Sequence, residues 1–135
     1  MVIRDCNGEV IASLIQQLDQ AYQPVEVEAM AACRAVEFGS ELGVGCAIVE
    51  GDLEVIVKAL RNKDIGLISF APLINDVSSF SSLFSEFSYT HIRRDGNKVA
   101  HNLARLALIT PNCTMWMEDV PSHTLRFVKA DLATL

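Results

Sequence analysis

The sequence predicts an α/β domain with helices flanking a mixed sheet. Three observations predict it. From residue 25 onward, segments of helical period alternate with short apolar runs, the pattern of layered α/β architecture. Half of the 135 residues are hydrophobic, enough for a core in a chain of one-domain length. Asn7-Gly8 stands between two apolar runs ahead of the first helix, and both residue types tolerate positive φ, which marks a hairpin.

The hairpin arms are read as residues 1–5 and 9–14. A polar stretch from Gln16 to Pro24 then gives a loop. Ala29, Ala32, Cys33 and Val36 recur at helical spacing, so a helix runs from about Val25 to Leu42, and Gly43 stops it. Cys46–Glu50 is a short apolar run between glycines and suits a buried strand. Asp52–Asn62 reads as a helix with Val55, Ile56, Ala59 and Leu60 on its apolar face. Ile65–Phe70 is apolar without a clear type, and a helix over about Pro72–Phe84 follows. Phe87–Ile92 is strand-like. Asp95-Gly96-Asn97 offers cap chemistry for a helix reaching Ile109, with Val99, Leu103 and Leu106 on one face. The remainder, from Asn112 to Leu135, shows no clear period. The chain therefore divides into a domain over residues 1–111 and a tail over 112–135.

Charge and composition exclude several function classes. Seventeen acidic residues against 11 basic ones give a net charge of −6, which excludes a generally basic nucleic-acid coat or a polybasic membrane-surface protein. No apolar run approaches the roughly 20 residues of a membrane span, so no membrane partner is expected. No secretory signal is visible. Cys6, Cys33, Cys46 and Cys113 are irregularly spaced with no Cys-x-x-Cys pair, which speaks against zinc and disulfides and for free thiols in an intracellular, reducing compartment, without separating cytoplasm from nucleus.

Against this frame a few polar positions stand out. Glu28 lies near the start of the long helix, where an acid is favoured by the helix dipole; Glu26 fits that duty equally. Asp52 ends a strand and begins a helix, where an N-cap is the commoner role. Together, two carboxylates at a strand tip and on a neighbouring helix are how oxygen ligands hold hard cations. His91 ends the last predicted strand and His101 opens the last helix. Around them stand Arg93, Arg94, Lys98 and Arg105, four of the 11 basic residues, so phosphates could be met here although the whole chain is acidic.

The segments VIRDCNGEVI (2–11), VEAMAA (27–32), IVEGD (48–52) and HIRRDGNKVAHNLA (91–104) resemble the plant ribonuclease-H-like domain, the reverse-transcriptase-like branch of the ribonuclease H superfamily. WMEDVP (116–121) is similar to its C-terminal stretch. The resemblance implies a ribonuclease-H-like mixed sheet with flanking helices and a hydrolase of RNA in RNA–DNA hybrids that uses Mg²⁺. It maps metal-ligating carboxylates onto Glu28 and Asp52, and a proton-transfer histidine onto His91. Arg93, Arg94, Asn97 and Lys98 would then position the nucleic-acid backbone.

Two departures from the family pattern matter. The family's first catalytic aspartate lies on a strand before the Asn-Gly hairpin and has no counterpart here, because Asp5 sits in the second strand of the pattern, beside the turn. His101 occupies the place of the fourth carboxylate, and imidazole is a poor ligand for Mg²⁺. The expectation is a domain truncated at its N-terminus that lacks its first, central strand and binds Mg²⁺ weakly. Its bare sheet edges would pair with a partner strand or a second copy. The alternative function is a catalytically impaired nucleic-acid-binding module, or a protein-interaction remnant of a retroelement-derived domain.

Overall fold

A computed structural model describes residues 1–62 and 69–133; most of the apolar run at Ile65–Phe70 lies outside the described residues. In chain order the elements are β1 (Val2–Arg4), β2 (Val10–Gln16), α1 (Pro24–Glu41), β3 (Cys46–Gly51), α2 (Glu54–Asn62), α3 (Ala71–Ser81), β4 (Glu86–His91), α4 (Lys98–Ala107), β5 (Cys113–Met117) and α5 (Leu125–Leu132), with a 3₁₀ turn at Arg94–Gly96. The chain divides into two compact units, Met1–Gln20 with Arg94–Leu135, and Ala21–Arg93. The described strands form a three-stranded sheet and a two-stranded sheet.

The first unit is built on an antiparallel sheet of order β1-β2-β5. Ile15 on β2, Val99 and Leu103 on α4, Val120, and Val128 on α5 make its core. Two polar side chains are fully buried and both are satisfied. Ser13 Oγ donates to the Asp119 carbonyl at 2.8 Å, and Thr124 Oγ1 donates to Asn102 Oδ1 at 2.7 Å. An Arg4–Asp131 ion pair at 2.9 Å ties β1 to α5. The stretch beyond Asn112, where no period is legible, thus supplies a strand and a helix to this unit.

The Asn-Gly signal marks a reversal, but not a two-residue loop. Arg4 pairs with Val10, so Asp5–Glu9 is the connection, and the register slips between Ile3 and Arg4. Of Asn7 and Gly8, only Gly8 has positive φ, at 82°. The reason is Asp5, whose Oδ1 accepts the backbone N–H groups of Asn7 (2.9 Å) and Glu9 (2.8 Å) and organises a wider turn. These bonds, that of Glu9 first, hold the Asp5 carboxyl below the usual aspartate range. A carboxylate whose pKa falls on folding stabilises the native loop above its unfolded value, and that contribution is lost as pH falls through the lowered one. Acidification is therefore expected to loosen this connection. Nuclear magnetic resonance shifts of the Asn7 and Glu9 amides should follow one titration below the ordinary value of about 3.9; a midpoint at or above it would contradict the account.

The second unit carries the parallel pair β3-β4, with Cys46 opposite Glu86 through to Gly51 opposite His91. Parallel neighbours need a crossover, and α2 and α3 lie in the segment between these strands. Ala29 and Val36 of α1, Ile56 and Leu60 of α2, Ile74 and Val77 of α3, and Phe84 form the core, with Ala47, Val49, Phe87 and Tyr89 packed against it from the sheet. A strand buried on both faces is expected from the Cys46–Glu50 run. Instead β3 alternates: Ala47 and Val49 meet the core while Ile48 is 68% exposed. The α1 start is secured by a capping box in which Glu26 Oε2 accepts the Gln23 backbone N–H at 2.9 Å. Its end is closed by Gly43, whose φ of 72° suits glycine.

Gly39 sits inside α1, where glycine weakens a helix, and packing explains it. A Cβ there would stand 3.3 Å from Cζ of Phe84, a ring itself packed on Phe87 at a 4.9 Å centroid distance. Gly39→Val is expected to destabilise by about 1–3 kcal/mol through overpacking, and Gly39→Ala by less, because helix propensity offsets part of the clash. Urea unfolding of both variants checks the order; equal stability of wild type and Gly39→Val would refute the close approach. All four cysteines are free. Among the described residues no helix is long and apolar enough to cross a membrane.

Candidate functional site

The carboxyl ends of parallel strands are where α/β sheets present ligand groups. In the second unit that end is formed by Gly51 and His91, directly opposite each other, and the Ile92 N–H donates to the Gly51 carbonyl at 3.0 Å. Asp52 follows Gly51 and is half-buried, whereas His91 is exposed. The register therefore brings two of the expected site residues to one sheet end. Glu54, the first residue of α2, pairs with Lys58 at 2.9 Å. That hydrogen bond, then the Lys58 charge, holds its carboxyl below the usual range, and the imidazole of His91 adds in the same direction.

Glu28 is the fifth residue of α1, just past its first turn rather than within it, and is half-buried beside the fully buried Ala29. The structure separates it from Glu26, which is engaged in the capping box. Ala29, following Glu28, and Leu53, following Asp52, belong to the same packed cluster. Arg93 closes this unit.

Arg94, Asn97, Lys98 and His101 belong to the first unit. Asn97 occupies the N-cap position of α4 without a side-chain cap bond, so the expected cap chemistry is not used there. A cleft of about 320 Å³ opens beside these residues, lined by Arg94, Lys98, His101, Asn102, Arg105 and Phe127, with Asp95 at its acidic side. Asn102 and Phe127 are the members that sequence reasoning missed. They lie on α4 and α5, 25 positions apart, and no spacing rule joins them.

Among the described residues no three His, Cys, Asp or Glu side chains cluster to hold a metal ion. By donor chemistry alone, a pair of carboxylates such as Glu28 and Asp52 suits Mg²⁺. Such an ion is commonly held by one or two carboxylates, with water and substrate phosphate oxygens filling its octahedron. Glu28 and Asp52 supply the required hard oxygen donors. The imidazoles of His91 and His101 do not.

A model of the reverse-transcriptase-like family matches residues 1–107. The chain belongs to that family. Similar solved structures place this reverse-transcriptase-like chain in the RNase H fold. RNase H1 from the halophilic archaeon Halobacterium salinarum superposes with a TM-score of 0.61 at 22% identity, covering 65% of this chain and 67% of that one. The N-terminal RNase H domain of a Mycobacterium tuberculosis protein, solved as a fusion with maltose binding protein, gives 0.59 at 20% identity, covering 63% of this chain and 62% of that one. No curated protein matches the chain.

Proposed function

We propose that this reverse-transcriptase-like domain hydrolyses the RNA strand of RNA–DNA hybrids in a Mg²⁺-dependent reaction. The observation that supports the reading is the register of β3 on β4, in which His91 lies opposite Gly51, the residue before Asp52, in the unit that also contains Glu28. Glu28 and Asp52 would hold the metal. When bound, it supplies charge neutralisation at the scissile phosphate and a more acidic water. By the family resemblance, His91 would transfer a proton near the scissile phosphate. Arg93, Arg94, Asn97 and Lys98 bind and orient the backbone phosphates, which fix position without reading sequence. Because only two carboxylates serve as ligands, metal binding is weak and is completed by substrate. The four free thiols fit a reducing compartment.

The test is incubation of the purified chain with an end-labelled RNA–DNA hybrid and Mg²⁺. Cleavage confined to the RNA strand and abolished by chelation supports the reading. An intact hybrid at saturating protein and metal overturns it.

A further inference from the structure

The cleft between α4 and α5 of the first unit has a chemistry of its own. Lys98, His101 and Arg105 recur at helical spacing along α4, and Arg94 precedes them. Among the described residues neither Lys98 nor Arg105 forms an ion pair. Arg94, Lys98 and Arg105 outnumber the single acid, Asp95, in a chain whose net charge is −6. This cationic concentration runs against the balance of the whole molecule.

Asn102 sharpens the reading. Its Oδ1 accepts the hydroxyl of the fully buried Thr124 at 2.7 Å. With the oxygen so engaged, the amide group is held in one orientation, and its Nδ2 is left as a pure donor. The cleft thus gathers Arg, Lys and amide donors against one carboxylate, a set suited to an anion with several acceptor oxygens. Phe127 adds a planar apolar wall. It is half-buried against the core, with the Arg126 guanidinium 4.7 Å from its ring centroid. A volume of about 320 Å³ is at the small end for ligand clefts.

We propose that this cleft binds a single nucleotide unit, with its phosphate on Lys98, Arg105 and the Asn102 amide and its base against Phe127. The unit comes either from a free mononucleotide or from the phosphorylated end of a single strand, where base–aromatic stacking is the usual sequence-tolerant contact. The inference extends the nucleic-acid reading above but does not depend on Glu28 or Asp52.

The probes are adenosine monophosphate, ribose 5-phosphate and a 5′-phosphorylated triribonucleotide, titrated into the ¹⁵N-labelled full chain. Adenosine monophosphate is expected to shift the amides of Lys98, Asn102, Arg105 and Phe127. Arg105→Gln, an exposed change, should weaken it about tenfold or more. Phe127→Leu should weaken adenosine monophosphate by about tenfold while leaving ribose 5-phosphate unchanged, which separates stacking from a general loss of fold. Tighter binding of the triribonucleotide assigns the source to a strand end, and equal binding assigns it to a free nucleotide. No shift in these amides, or shifts unaltered by Arg105→Gln, overturns the proposal whether or not hybrid is cleaved. Uncleaved hybrid alongside these shifts overturns only the hydrolase reading.

Discussion

Asp52→Asn is expected to reduce RNA–DNA hybrid cleavage by at least about 100-fold while leaving the fold intact. The substitution keeps shape and removes the charge that a hard cation requires. Residues that merely support metal ligands already contribute ten- to hundredfold, so a direct ligand sets the larger loss. Glu28→Gln should act in the same direction. In the proposed site of two carboxylates neither loss would have a substitute. Circular dichroism and thermal unfolding of Asp52→Asn should match the parent chain. Full cleavage activity in the Asp52→Asn protein would remove Asp52 from the site. Activity surviving both substitutions together would remove the carboxylate mechanism.

Leu103→Ala is expected to destabilise the first unit by about 2–5 kcal/mol. Leu103 is fully buried on α4, where it packs with Ile15, Val99, Val120 and Val128. The loss has two parts, the transfer free energy of the deleted methyl groups and the cavity left in a close-packed interior. It is a large fraction of the roughly 5–15 kcal/mol that keeps a typical domain folded. Urea unfolding measures the loss, and hydrogen exchange locates it. Amides of β2 and β5 should lose protection. A change below about 0.5 kcal/mol, the range of exposed substitutions, would show that Leu103 is not a core residue.

The sequence reveals helices better than reversals and edge strands, for physical reasons that differ by element. The stripe Ala29, Val36 and its neighbours announced α1, and Gly43 marked its end, because a helix repeats one face many times. The hairpin was legible as a reversal, yet its width was set by the Asp5 carboxylate taking two backbone donors, a competition that the Asn-Gly signal does not contain. β5 was invisible. Met115 and Met117 are about half exposed, so apolar residues occupy both faces and no alternation appears. Its flanking turns use positive φ at Asn112 and Glu118, and Glu118 carries no compositional sign of that. The position of Asp52 was legible because a strand tip followed by a helix is local in sequence. Glu28 was singled out by the family resemblance, and the structure adds that Glu26 is engaged in the capping box. Asn102 and Phe127 needed the packing of α4 on α5.

The first unit is discontinuous in sequence, and this has a consequence for how the chain is made. β2 pairs residue for residue with β5, Ala12 opposite Met117, and Arg4 reaches Asp131. Residues 21–93 form the second unit without a break. During synthesis residues 21–93 are made between β2 and β5, so the hairpin, made before them, waits for its partner strand until they have been added. Closing so long a loop slows folding through chain entropy. Through that interval one side of β2 is an unpaired edge, open to pairing with another nascent chain. Translation speed and chaperone supply are therefore expected to govern the yield of folded protein more than the native contacts do.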